Sequence, residues 1–188
     1  MVGQRLPAGT APGLLDIVLR GRPDRATLFQ QAGLDADTVA GGDVHLTSAQ
    51  LDALLGTAFT QAGDPLFGLR VGRANHYRDL GPLGFLMAAC ETLEQALRVL
   101  QHYRELLLPY LALALHREEH QCTLTVSGGE ALAVTHTRAH NDLLLATLVA
   151  LGHSLLGGRM PIQRVAFRHP RPSDGELHEY RSFFRCAL

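Results

Sequence analysis

The chain of 188 residues carries 17 Lys and Arg against 18 Asp and Glu, and 46% of it is hydrophobic. That is enough for one sizeable domain with its own core and too apolar for a disordered chain. A formal charge of −1 also lacks the basic footprint on which nucleic-acid binding depends.

The three cysteines, Cys90, Cys122 and Cys186, are widely spaced and form no CxxC pair. That pattern points to free thiols in a reducing compartment rather than a disulfide framework or a zinc site. The opening MVGQRLPAGTAPG has no apolar h-region, so a signal peptide is not expected. The apolar runs fall short of a membrane span. The expectation is a soluble, cytoplasmic protein with no membrane partner.

In chain order, residues 1–12 are Gly/Pro-rich and read as a flexible N-terminus. A short helix is expected over Gly13–Arg20, stopped by Gly21 and Pro23. Asp24 caps a second, RATLFQQAG, ended by Gly33. A turn DADTVA runs into the loop GGDVH. TSAQ from Thr47 is a capping box, and Leu51, Leu54, Leu55, Ala58, Phe59 and Ala62 keep a helical period up to Gly63. Asp64–Pro65 starts another helix, LFGLRVGRA. TLEQ from Thr92 is a second capping box. Leu93, Ala96, Leu97, Leu100, Tyr103, Leu106 and Leu107 form one apolar face of a long helix that Pro109 ends.

The period then changes. Leu111–Leu115 and CTLTV alternate as strands around a turn at Arg117–His120. GGE makes a further turn, and ALAVTH reads as a third strand. Residues 138–156 return to helix, closed by Gly157–Gly158, with apolar content dense enough for burial. MPIQRVAFRHP reads as a last strand and DGELHEYRSFF as a last helix. The fold class is α+β: helices packed with an antiparallel sheet carrying one long inserted helix, in a single domain.

Concentrated chemistry is scarce. Ten histidines raise the question of a metal, and His116/His120 and His136/His140 have the i, i+4 spacing of ligands on one helix face. The first pair flanks a turn, the second straddles a strand–helix junction, and HExxH is absent. Surface and capping roles fit better, and no metal or cofactor is expected. No GxSxG elbow frames a serine, no cysteine pairs with a base, and Glu118–Glu119 reads as a solvated turn. Catalytic residues are therefore not assigned. RATLFQQAGLDADTV has the outline of a helix-turn-helix, but its second half carries two acids and no base, so packing is the better reading. A ligand pocket, mostly apolar with a few placed polar groups, is the remaining site. Its candidates are Tyr77, Phe85, Met87, Tyr103, Tyr110, His136, Arg138 and His140.

Several segments occur in a familiar order: AGDPLFGLRVG (62–72), LGPLGFLMAACETLEQALRVLQHYRELLLP (80–109), LLLATLVALGHSLLG (143–157), IQRVAFRHPRP (162–172) and HEYRSFF (178–184). In this series the chain resembles the N-terminal effector-sensing, arabinose-binding-like domain of AraC-type bacterial transcription regulators. Gly81 and Gly84 match the family's paired glycines and Thr92–Leu93 its helix start. Phe167, His169 and Pro172 match its strand end, and Tyr180 and Phe184 its last helix. Cys90 stands where serine is common, and Pro82 follows Gly81 where another residue is more usual.

The resemblance implies an effector-sensing domain over 13–188. It would bind a small metabolite, form homodimers, and reach DNA only through a C-terminal helix-turn-helix domain that is absent from this chain. The alternatives are a stand-alone haem- or lipid-binding domain, or a small hydrolase or transferase with a dispersed site.

Overall fold

The computed structural model describes residues 17–19, 24–34, 46–119, 121–128 and 132–188. The expected N-terminus at 1–12, the turn at 35–40, the GGDVH loop, His120 and most of the GGE turn lie outside them. Of the expected first helix, residues 17–19 are described and helical.

Helices α1 (Arg25–Gln31), α2 (Ser48–Gln61) and α3 (Phe67–Arg73) come first. Both capping boxes form as their sequences require. At α2 the Gln50 N–H donates to the Thr47 hydroxyl at 3.2 Å and the Thr47 N–H donates to the Gln50 side chain at 3.0 Å. A tight 3-10 turn, Tyr77–Leu80, leads through Gly81 into α4 (Pro82–Ala88). Gly81 has φ +56, which favours glycine, and a Cβ at Gly84 would overlap the Tyr77 carbonyl. The paired glycines thus permit one close turn of backbone.

The second box starts α5 (Leu93–Tyr103). This helix is shorter than its apolar period suggests, giving way to a 3-10 turn over Arg104–Leu106. Arg104 explains the stop: its guanidinium reaches the carbonyls of Gln101 and Leu111, at 3.4 and 3.2 Å, and draws the chain toward the sheet before Pro109. Ala96 and Leu100 are buried, while Tyr103 and Leu106 face solvent.

Strands β1 (Leu111–Glu118) and β2 (Gln121–Gly128) form an antiparallel hairpin with Leu113 opposite Val126 and Leu115 opposite Leu124. The strand continues through Arg117 and Glu118, which the sequence suggests as turn; Arg117 pairs across to Glu94 of α5 at 3.1 Å.

Two other expected strands do not form. ALAVTH contains a 3-10 turn, Ala133–His136. The Asp52 carboxylate accepts the Val134 N–H at 2.7 Å, and the Thr135 hydroxyl donates to the Leu132 carbonyl at 2.7 Å. Side chains thereby take the backbone partners that a sheet ladder would need. Over 160–170 the chain forms no strand and is unpaired except for one bridge, Arg164 with Ala187.

Thr137 caps α6 (Arg138–Leu156), which ends at Gly157 in the left-handed conformation, and α7 (Asp174–Phe184) closes the described chain. The class is α+β, with a two-stranded sheet among the described residues. Helix α3 lies against α6 at glycine contacts. A Cβ at Gly68 would overlap the Ala139 carbonyl, and one at Gly72 would come within 2.6 Å of the Leu143 carbonyl oxygen. The core has three parts: α1, α2 and the Ala133–His136 turn; α3, α6 and α7; and α4, α5 and the hairpin.

Candidate functional site

Between α6, the hairpin and the segments 79–80 and 104–108 lies a cavity of about 60 Å³. Its walls follow from two sequence periods. On α6, Leu143, Leu144, Thr147, Leu148 and Leu151 form one helical stripe. On the hairpin, Leu111 and Leu113 share a strand face with Val126, the cross-strand partner of Leu113. Leu100, Leu107 and Leu108 close another side.

Three polar residues reach this lining, and each is already engaged. Asp79 accepts the His76 N–H at 2.8 Å. Thr147 accepts from the Asn75 amide at 2.8 Å. Arg104 holds its two carbonyls and the Glu105 carboxylate at 3.1 Å. The surface left to a ligand is almost wholly apolar.

One turn before Leu143 and Leu144 on α6 stands a buried polar pair. The Tyr110 hydroxyl and His140 Nε2 are 3.2 Å apart. His140 is fully buried. Burial lowers its pKa to about 4, against the attraction of Asp52, so the ring is neutral at neutral pH. Burial also raises the Tyr110 hydroxyl above its ordinary range. His140 Nδ1 is buried with no hydrogen-bond partner among the described residues.

A second buried cluster joins α6 to α7. Asp142, without exposed surface, accepts from the Tyr180 hydroxyl and faces His169 Nε2 at 3.1 Å. Arg138 donates to the Tyr180 hydroxyl at 3.1 Å and to Glu176 at 3.1 Å. Burial raises the Asp142 carboxyl above its ordinary value against the lowering pull of Tyr180, His169 and Arg138. The Phe167 ring touches those of His169, Tyr180 and Phe184 at centroid distances of 4.8, 5.6 and 5.7 Å. The two C-terminal motifs of the resemblance are therefore a single knot that ties the 160–170 segment and α7 onto α6.

Of the eight residues expected at a pocket, the structure unites two pairs. Tyr110 meets His140, and Tyr77 meets Phe85 edge-on at 6.1 Å, with Phe85 58% exposed. Met87 is buried among Leu83, Ala96, Leu100 and Leu113. Tyr103 and His136 face solvent, and Arg138 belongs to the Asp142 cluster. The cavity lining consists of other residues, chiefly leucines that look like ordinary core in sequence. Thr147, a lone hydroxyl in the apolar stripe of α6, is the one written sign of it. Among the described residues no group of His, Cys, Asp or Glu could hold a metal, and no helix is long and apolar enough to cross a membrane.

Residues 23–188 match the family described as the arabinose-binding domain of AraC transcription regulator, N-term, and the chain is a member of that family. It is therefore a ligand-sensing regulatory domain of a transcription regulator. Among curated proteins it is similar to the ornithine utilization regulator of Pseudomonas aeruginosa, 27% identical over 183 residues. That alignment covers 97% of this chain and 53% of the relative, so the chain spans about half the length of the curated protein it matches.

Proposed function

We infer that the domain senses a small, largely apolar molecule at the chamber between α6 and the hairpin, which must widen from about 60 Å³ toward the roughly 150 Å³ that holds a benzene, and that occupancy controls a DNA-binding segment of the same regulator. The observation that carries this is the wall itself: aliphatic side chains from α5, the hairpin and α6, with every polar neighbour already bonded. A sugar placed there would leave hydroxyls unpaired, each costing about 1–3 kcal/mol. A basic amino acid would meet one carboxylate, Asp79, and one guanidinium, Arg104, each already hydrogen-bonded, on an otherwise apolar wall. Neither arabinose, in the family's description, nor ornithine, in the relative's name, suits such a wall.

A ligand that binds one conformation better than another shifts the population toward it. Here α6 is the element to transmit that shift, since it lines the chamber along one stripe and carries the Asp142 knot at its start. Homodimerisation, a cytoplasmic setting and DNA contact through a separate C-terminal domain belong to the same proposal. The free thiols Cys90, Cys122 and Cys186 fit a reducing compartment.

Thermal unfolding against a panel of sugars, amino acids, short fatty acids and aromatic compounds tests this. A ligand at about 100 times its dissociation constant stabilises a one-site binder by roughly 2.7 kcal/mol. An apolar compound should raise the midpoint with dose, and arabinose and ornithine should not. Stabilisation by a sugar or a basic amino acid, with none from apolar compounds, would overturn the assignment of ligand class.

A further inference from the structure

Another face of α6 borders a second concavity with opposite chemistry. The Arg159 guanidinium donates to the Arg185 backbone carbonyl at 2.7 Å, which brings the Arg159 side chain to the end of α7. Arg185 occupies the left-handed region at φ 50 as the cap of α7, and its own Nε donates to the Ser182 carbonyl at 3.1 Å. With Arg73 of α3 and His153 of α6 they line an open groove of about 520 Å³ that no carboxylate lines. Arg73 is offset by Glu179 at 3.2 Å. Among the described residues Arg159 and Arg185 have no carboxylate partner, and their hydrogen bonds go to backbone carbonyls. His153 registers the resulting field: burial first, then Arg159 and Arg185, lower its pKa.

This is not a generally basic surface, because the chain as a whole carries a charge of −1. Positive charge is gathered at one concave place and left uncompensated there. We propose that the groove is a binding site for a small anion bearing a carboxylate or phosphate group, held between Arg159 and Arg185 with Arg73 at its side. Arginine presents a planar fork of donors suited to either group. A concave site favours a small ligand over a flat acidic protein surface. The site also touches the chamber indirectly: Asn75 lines the groove, and its amide donates to Thr147 in the chamber wall.

The test follows the His153 ring by NMR as the chain is titrated in chloride, phosphate and citrate at matched ionic strength. A bound anion cancels part of the arginine field, so phosphate, citrate or both should move the His153 titration saturably upward, by roughly one pH unit. The active anion distinguishes a phosphate ligand from a carboxylate one. The double substitution Arg159→Gln with Arg185→Gln should remove the response and, without added anion, raise the His153 titration by itself. Should that variant fail to fold, Glu179→Gln replaces it: it releases Arg73 and should tighten binding severalfold. Identical His153 titrations in all three salts would overturn the proposal, as would a response that persists in the folded double variant.

Discussion

Acidification from pH 7 to pH 5 should destabilise the domain through one buried ring. His140 has an ordinary value of 6.5 and a folded value of about 4. Between those values the unfolded chain binds a proton that the folded chain refuses, so stability falls as pH drops through this window and is fully present above it. At pH 5 the two values give a loss of about 2 kcal/mol from this group alone, or roughly 4–8 °C in Tm for a chain of this length. Glu176, held low by the Ser173 hydroxyl, loses its contribution only at still lower pH. Asp142, held high by burial, acts with the opposite sign. His153, also lowered, adds in the same direction as His140. The informative quantity is therefore a difference. His140→Gln keeps a partner for the Tyr110 hydroxyl but does not titrate, and urea unfolding of both proteins at pH 7 and pH 5 isolates the ring. The variant should lose about 2 kcal/mol less than the parent. Equal losses would refute the assignment of His140 as a neutral, buried base.

Three further perturbations test the packing. Gly68→Ala and Gly72→Ala each force α3 away from the α6 backbone and should cost about 1–3 kcal/mol in urea unfolding, whereas Gly56→Ala, where a Cβ meets nothing within 4 Å, should be neutral or stabilising. Tyr180→Phe removes a hydroxyl that serves both Asp142 and Arg138 and should cost about 1–3 kcal/mol. Because that hydroxyl helps hold the Asp142 carboxyl down, the variant should also titrate Asp142 at higher pH by carboxyl NMR. Thr92→Ala should cost about 1 kcal/mol in thermal unfolding while Thr92→Ser costs little, since only the hydroxyl caps Gln95.

The helices were legible wherever local chemistry decides them. TSAQ and TLEQ form their capping boxes, and α6 and α7 span the residues that their caps and apolar periods mark out. The strands failed where a distant side chain intervened. No local pattern in ALAVTH reveals that Asp52, far back in the chain, will take the Val134 N–H. Nothing in MPIQRVAFRHP shows that its partner will be a single residue, Ala187, rather than a strand.

The chamber was hidden for a related reason. A leucine lining a cavity and a leucine filling one have the same sequence signature, so Leu144 and Leu148 read as core. Tyr103 and His136 have the amphipathic character of pocket residues, yet they face solvent. Tyr110 and His140 stand far apart in the sequence, and their contact depends on α6 turning back over the hairpin. Asp142, one acid among leucines and alanines, is the signal that could have revealed the α6–α7 knot.

The most direct measurement of the central claim is a methyl NMR titration of the chain with the apolar compound that most raises its Tm. If the chamber is the effector site, saturable shifts will concentrate on the methyls of Leu111, Leu113, Val126, Leu144 and Leu148, and Leu144→Trp, which fills the chamber, will abolish them. Shifts confined to exposed Leu86, Leu106 and Leu156, or unchanged in Leu144→Trp, would place binding elsewhere and contradict the claim.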